Sequence, residues 1–182
     1  MNTLTPEDGQ LFYKLWLPLL DFVNRKFQID KRLKSMATAK ILDPKDVKKV
    51  ADKLWENVQV IDEYLDEGVQ LPEEHKAIIR SWKRRIQGQF TMERHLKNGT
   101  IFISMDDEKV YQVSGIISSW EEMFFGAPMP IIIRATFMPF RDIIISDGLI
   151  TSYNILVGGG MKKIFKDIYL TAKKNGEICH SL

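Results

Sequence analysis

The feature that most constrains this chain is a change of hydrophobic period near residue 89. Upstream, apolar residues recur every three or four positions, the spacing of one helix face; downstream they alternate, the spacing of one sheet face. The upstream half opens with Thr5-Pro6-Glu7-Asp8: a capping hydroxyl, a first-turn proline and two acids against the helix dipole. Leu11, Phe12, Leu15, Trp16, Leu19, Leu20, Val23 and Phe27 then form one apolar stripe, and Pro18 within it predicts a kink or break near Leu17. A second start, Asp43-Pro44, leads Val47, Val50, Ala51, Leu54, Val58, Ile61 and Leu65 to a stop at Gly68. A third, at Leu71-Pro72-Glu73-Glu74, predicts a helix to Gly88, and a shorter helix is expected across residues 32–40.

In the downstream half, Asn98-Gly99 is the strongest hairpin signal, because a type I′ turn needs positive φ at both central residues. Read as a two-residue turn, it sets Lys97 opposite Thr100, Leu96 opposite Ile101, Arg94 opposite Ile103 and Met92 opposite Met105. Asp147-Gly148 repeats the device and predicts Ser146 opposite Leu149 and Ile145 opposite Ile150, with Gly148 at positive φ. Further strands are expected at 109–114, 131–138, 142–146 and 149–157. Ser119-Trp120-Glu121-Glu122 reads as a capping box for a short helix ended by Gly126. Gly158-Gly159-Gly160 turns the chain into a closing helix over 161–174, stopped by Asn175-Gly176. The fold class predicted is α+β: an N-terminal helical region of three to four helices, then a curled antiparallel sheet or small barrel of about six strands, then a C-terminal helix. Two regions follow, 1–88 helical and 89–182 antiparallel β with the closing helix, packed as one unit.

Of 182 residues 45% are hydrophobic, enough for a core of this size, and 27% are charged, which excludes wholesale disorder. Twenty-six cations against twenty-four acids give a formal +2, too little to draw a partner by a global field. The one cysteine, Cys179, excludes a disulfide framework and fits a reducing compartment. MNTLTPEDGQ has no basic segment followed by an apolar one, and the apolar run 131–145 is broken by Arg134, Arg141 and Asp142. A cytoplasmic protein with neither signal peptide nor membrane span is expected.

Residues 111–163 carry Val113-x-Gly115-Ile116, Pro130, Pro139-Phe140-x-Asp142-x-Ile144-x-x-Asp147-Gly148-Leu149-Ile150 and Gly158-Gly159-Gly160. In this block, under a third of the chain, the sequence resembles a group of uncharacterised bacterial proteins. The resemblance implies no reaction. Some relatives pair the block with a Cys/His zinc module of the SEC-C kind, but Cys179-His180 stands alone here, so zinc is not carried over.

No catalytic constellation emerges. His75, His95 and His180 fit no metal spacing; His75 falls on the apolar face of its helix, and His95 is expected opposite Phe102 in the first hairpin. Asp106-Asp107-Glu108 reads as a solvated hairpin tip, and Asp142 and Asp147 lie at opposite ends of one strand, too far apart for an acid/base pair. Cys179 lies near an end expected to fray. Gly159, Gly160 and Lys162 could form a weak anion site at a helix start, though the spacing is that of neither a P-loop nor a dinucleotide fingerprint. No catalytic residue, metal or cofactor is therefore assigned.

Charge is uneven. Residues 25–49 hold nine cations against Asp30, Asp43 and Asp46, a local +6, while residues 89–182 balance ten against ten. Across 76–84, Lys76, Arg80, Lys83 and Arg84 fall on the helix side away from Trp82, so no base-stacking aromatic interleaves with them. The leading expectation is a non-catalytic module that binds an unknown protein partner or regulates one. The alternative is a nucleic-acid-binding protein using Arg25, Lys31, Arg32, Lys34, Lys76, Arg80, Lys83 and Arg84. A third possibility is an enzyme whose site is too dispersed to see in the sequence.

Overall fold

The structure, a computed structural model, describes residues 2–182. It is α+β, and the chain divides into a helical unit, Pro6–Lys83, and a β unit formed by the described residues up to Thr5 together with Arg84–Leu182. The helical unit contains α1 (Pro6–Phe27), α2 (Pro44–Glu56), α3 (Val60–Asp66) and α4 (Glu73–Ser81), followed by a 3-10 turn at Trp82–Arg84.

α1 runs through Pro18 as one helix, so of the kink or break expected near Leu17 the break does not occur. Proline in a helix costs roughly 3 kcal/mol. Leu15, Trp16, Leu19 and Leu20 flank it and are all buried, each contributing about 1.5–3 kcal/mol. The stripe outweighs the proline. Trp16 stacks on Trp55 of α2 at 5.4 Å and meets Trp82 edge-on at 5.6 Å, so three indoles organise this core.

The second predicted helix is two. α2 stops at Asn57, whose Nδ2 donates to the Lys53 carbonyl while its N–H bonds the Leu54 carbonyl, and α3 restarts at Val60. The third ends at Ser81 rather than Gly88, because Ile86, Gln87 and Gly88 already pair with Phe137, Thr136 and Ala135. No helix forms across 32–40. Side chains of α1 take the loop's amides first: Asn24 Oδ1 accepts the Asp30 N–H, and Asp21 accepts those of Met36 and Ala37.

The β unit has six strands: β1 (Ile86–Leu96), β2 (Gly99–Ser104), β3 (Val110–Ser114), β4 (Ile131–Phe140), β5 (Ile143–Ser146) and β6 (Thr151–Ser152). α5 (Trp120–Met123) precedes β4, and α6 (Gly159–Asn175) follows β6. Strand order is β1-β2-β3-β5-β4-β6, and β1 also pairs with β4, so five strands are joined in a ring. The sheet is mixed, not wholly antiparallel: β3 and β5 run parallel, Val113 opposite Ile144. Inside the ring lie Phe90, Met92, Phe102, Val113, Trp120, Ile133, Phe137 and Ile144. On the other face of β2, Ile101 and Ile103 pack with Val110 against Phe165, Tyr169 and Ala172 of α6. Every residue of β2 is thus buried.

Register departs from expectation by two residues next to the turn and by three beyond it. Leu96 faces Gly99, His95 faces Thr100 and Arg94 faces Ile101; an irregularity between Met92 and Arg94 then sets Met92 opposite Phe102. Met92 is thereby turned into the ring, away from the face holding Ile101 and Ile103. Gly99 serves close approach more than the turn, since a Cβ there would lie 3.0 Å from the Val113 carbonyl oxygen. Asp147-Gly148 closes no hairpin, although Gly148 does have φ +78°. The tight reversal is at Arg141-Asp142, with Phe140 opposite Ile143 and Arg141 at φ +52°. Of the strand expected over 149–157, only β6 forms, pairing Thr151 and Ser152 with Arg134 and Ile133. Cys179 is no frayed end: its N–H donates to the Val110 carbonyl and its carbonyl accepts the Gln112 N–H, covering the edge of β3 that β5 does not reach.

Candidate functional site

The β unit carries an apolar cleft between the segment leading into β4 and the segment leading out of β6. Its first wall begins at α5. Ser119 and Glu122 form the predicted capping box, with Ser119 Oγ accepting the Glu122 N–H and Glu122 Oε2 accepting the Ser119 N–H. That box sets Trp120 inward, 4.8 Å from Phe102, and leaves Phe124 and Phe125 at the helix end. Gly126 at φ +76° reverses the chain, and a bend at residues 129–130 leads it into β4.

The second wall follows β6. Tyr153 N–H donates to the Ile132 carbonyl and Ile155 N–H to the Tyr153 carbonyl, after which residues 156–158 lead into α6. Between the walls lies a cavity of about 300 Å³, lined by Phe124, Ala127, Pro128, Pro130, Ile131, residues 152–157 and Lys162. That volume and lining fit the lower end of the range for ligand pockets, which are mostly apolar with a few polar groups. Lys162 is the one charged residue among those lining it. Leu156 is 88% exposed and Ile155 55%, and Phe125 beside Phe124 is 90% exposed. Large apolar side chains left so open in one neighbourhood mark an interaction surface.

Gly158, Gly159 and Gly160 have neither positive φ nor a neighbour that a Cβ would strike, so backbone geometry does not explain them. Of the predicted anion site, Gly159, Gly160 and Lys162, the lysine alone lines the cleft.

Half of the eight predicted basic residues are engaged in ion pairs. Arg32 binds Asp30 at 2.6 Å and Asp46 at 3.2 Å, and its guanidinium holds the Asp30 carboxyl well below the usual range, at about 2. Lys76 and Arg80 both reach Glu73, at 2.8 and 3.8 Å, and Lys83 reaches Asp62 at 2.5 Å. Arg84 is exposed at the end of the 3-10 turn. Arg25, Lys31 and Lys34 behave differently: they line one hollow beside the end of α1.

Histidines are dispersed. His95 Nδ1 is 2.8 Å from Thr100 Oγ1, not opposite Phe102, and partial burial lowers its pKa. His75 is half-buried with Nδ1 shielded and unbonded, and His180 is exposed. Among the described residues no group of three His, Cys, Asp or Glu could hold a metal ion. Asp107 pairs with Lys109 at 2.9 Å at the β2–β3 turn. Asp147 is buried and accepts the Leu149 N–H at 3.0 Å, which holds the turn after β5. No helix among the described residues is long and apolar enough to cross a membrane.

No family model, curated protein or solved structure matches this chain. The cleft therefore rests on its own geometry. Sequence reasoning missed it because residues 149–157 were expected to form a continuous strand. The available signal was apolar Ile155-Leu156-Val157 running straight into three glycines, where alternation fails.

Proposed function

We propose that this chain is a non-catalytic binding module whose β unit receives an apolar segment of a partner protein ending in, or flanked by, a carboxylate. The observation that carries the reading is the exposure of Phe125, Ile155 and Leu156 beside a cavity whose one charged lining residue is Lys162. Apolar side chains would supply the affinity, and the ammonium would set orientation and favour an anionic end. The resemblance of residues 111–163 to a group of uncharacterised bacterial proteins implies no competing reaction.

Nucleic acid has less support. Partly open five-stranded barrels bind oligonucleotides on the outer face of the second and third strands. Here the corresponding face lies under Phe165 and Tyr169 of α6. In the basic stretch of the helical unit, Arg32, Lys48 and Lys49 are already engaged by acids of that unit.

Selection of displayed peptides with free C-terminal carboxylates should enrich sequences with large apolar residues near the terminus. Leu156→Asp should weaken the selected peptides by about tenfold or more, since it sets a charge where an apolar contact was. Lys162→Ala should remove their preference over the amidated forms. Failure to enrich any peptide, or affinities indifferent to Leu156→Asp, would overturn the assignment.

A further inference from the structure

We propose that the hollow beside the end of α1, lined by Arg25, Lys31 and Lys34, is an anion site that takes a phosphate group. It lies in the helical unit and is independent of the apolar cleft. The cavity measures about 340 Å³ and is completed by Asn24, Gln28, Asp30 and Leu33.

The loop that forms it is built before any ligand arrives. Gln28, at φ +51°, turns the chain back after α1. Asn24 is only 5% exposed; its Nδ2 donates to the carbonyls of Asp30 and Leu33, both at 2.9 Å, while its Oδ1 accepts the Asp30 N–H at 2.9 Å. One buried side chain thus pins the loop at two points, which spares a ligand most of the cost of ordering it.

The charges in this stretch are sorted. Lys26 pairs with Glu63, Arg32 with Asp30 and Asp46, Lys48 with Asp52 and Lys49 with Asp46. The other five cations of residues 25–49 take part in no ion pair among the described residues: Lys40 and Lys45 lie outside the hollow, and Arg25, Lys31 and Lys34 share it. Asp30 also borders it, but its carboxylate is occupied by the N–H, Nε and Nη2 of Arg32 at 2.9, 3.0 and 2.6 Å. Glu67 lies with Arg25 on the lining of a neighbouring hollow, without an ion pair between them. The other nearby acid, Asp21, is committed to Met36, Ala37 and Ser35. The C-terminal dipole of α1 opposes an anion, yet its contribution is a partial charge against three full cations. A phosphate, with up to two negative charges and several strong acceptor oxygens, matches three cationic residues on one hollow better than a single carboxylate does.

Calorimetric titration with inorganic phosphate at low ionic strength should show saturable binding of one ion per chain. Lys31→Ala with Lys34→Ala should weaken it by about tenfold or more. Both side chains are exposed, so the double variant keeps its fold. Lys40→Ala with Lys45→Ala removes the same charge outside the hollow and should leave binding within about twofold. The absence of saturable phosphate binding, or an equal loss in both double variants, would overturn the proposal. So would binding of mixed-sequence single-stranded RNA without binding of phosphate, which would mark an extended polyanion surface instead.

Discussion

The two units treat their surfaces in opposite ways. Of the ion pairs among the described residues, nine fall in the helical unit, from Lys26–Glu63 to Lys83–Asp62, and two in the β unit. Of the twelve large hydrophobic residues left exposed, ten fall in the β unit, and Tyr13 and Ile41 are the exceptions. The helical unit answers most of its charge internally and leaves three cations together. The β unit leaves apolar surface unanswered. Exposed ion pairs contribute little stability, about 0–1 kcal/mol in general, so their abundance shows how the surface is neutralised more than what holds the fold. Exposed Phe and Leu contribute less still to folding, and their clustering is what another molecule would use.

The comparison is first tested on what holds the β unit. A Cβ on Gly115 would lie 2.0 Å from the Ser118 carbonyl oxygen, and backbone cannot step aside as a side chain can. Gly115→Ala should therefore cost about 3 kcal/mol or more, beyond ordinary overpacking. Gly148→Ala, with φ +78° but only a contact of 3.8 Å to Ile116 Cδ1, should cost about 1 kcal/mol. Urea denaturation of both variants checks the ratio. Equal costs would mean that the segment around Ser118 yields, and that the strand-end geometry is not a rigid wall of this unit.

The same contrast explains what could be read in advance. Helices depend on contacts three and four residues away, so the stripe of α1, the cap of α2 and the capping box before α5 were legible. Asn57 and the loop after α1 were not, because a single side chain there outcompetes helix formation by capturing backbone groups. In the sheet, the existence and rough extent of β1 to β5 were visible in the alternation. Their register was not: the irregularity between Met92 and Arg94 inverts which residues face inward, and no local pattern announces it. Parallel pairing of β3 with β5 depends on partners some thirty residues apart, beyond the reach of any turn signal. The apolar cleft was hidden for a related reason, since it lies where a predicted strand stops after two residues.

Asn24 tests whether the helical unit's loop is as built as its bonds imply. Asn24→Ala removes one buried side chain and strands the Asp30 N–H and two carbonyls. The expected cost is about 2 kcal/mol, within the usual range for unsatisfied buried groups. Hydrogen exchange at the Asp30 amide should accelerate, and phosphate affinity should fall with it. A variant that keeps full stability and slow exchange would show the loop to be held elsewhere, and the three cations to be gathered by chance.

The smallest expected effect on stability is the most informative about the β unit. Phe125 and Leu156 are about as exposed as in an open chain, so Phe125→Ser and Leu156→Ser remove almost no buried area. Each should shift the folding free energy by less than about 0.5 kcal/mol, as surface changes away from caps and cores do. Self-association at high concentration should decline, because a solvated hydroxyl replaces an apolar group at the rim of the cleft. Partner affinity should decline in parallel, while the denaturant midpoint stays where it was. That separation is the point of the experiment: a residue kept for folding loses stability first, and one kept for binding loses only the partner. A cost above about 1 kcal/mol would mean that these side chains pack in solution. The difference between the two surfaces would then reflect incomplete packing of the β unit, and the docking assignment would fall with it.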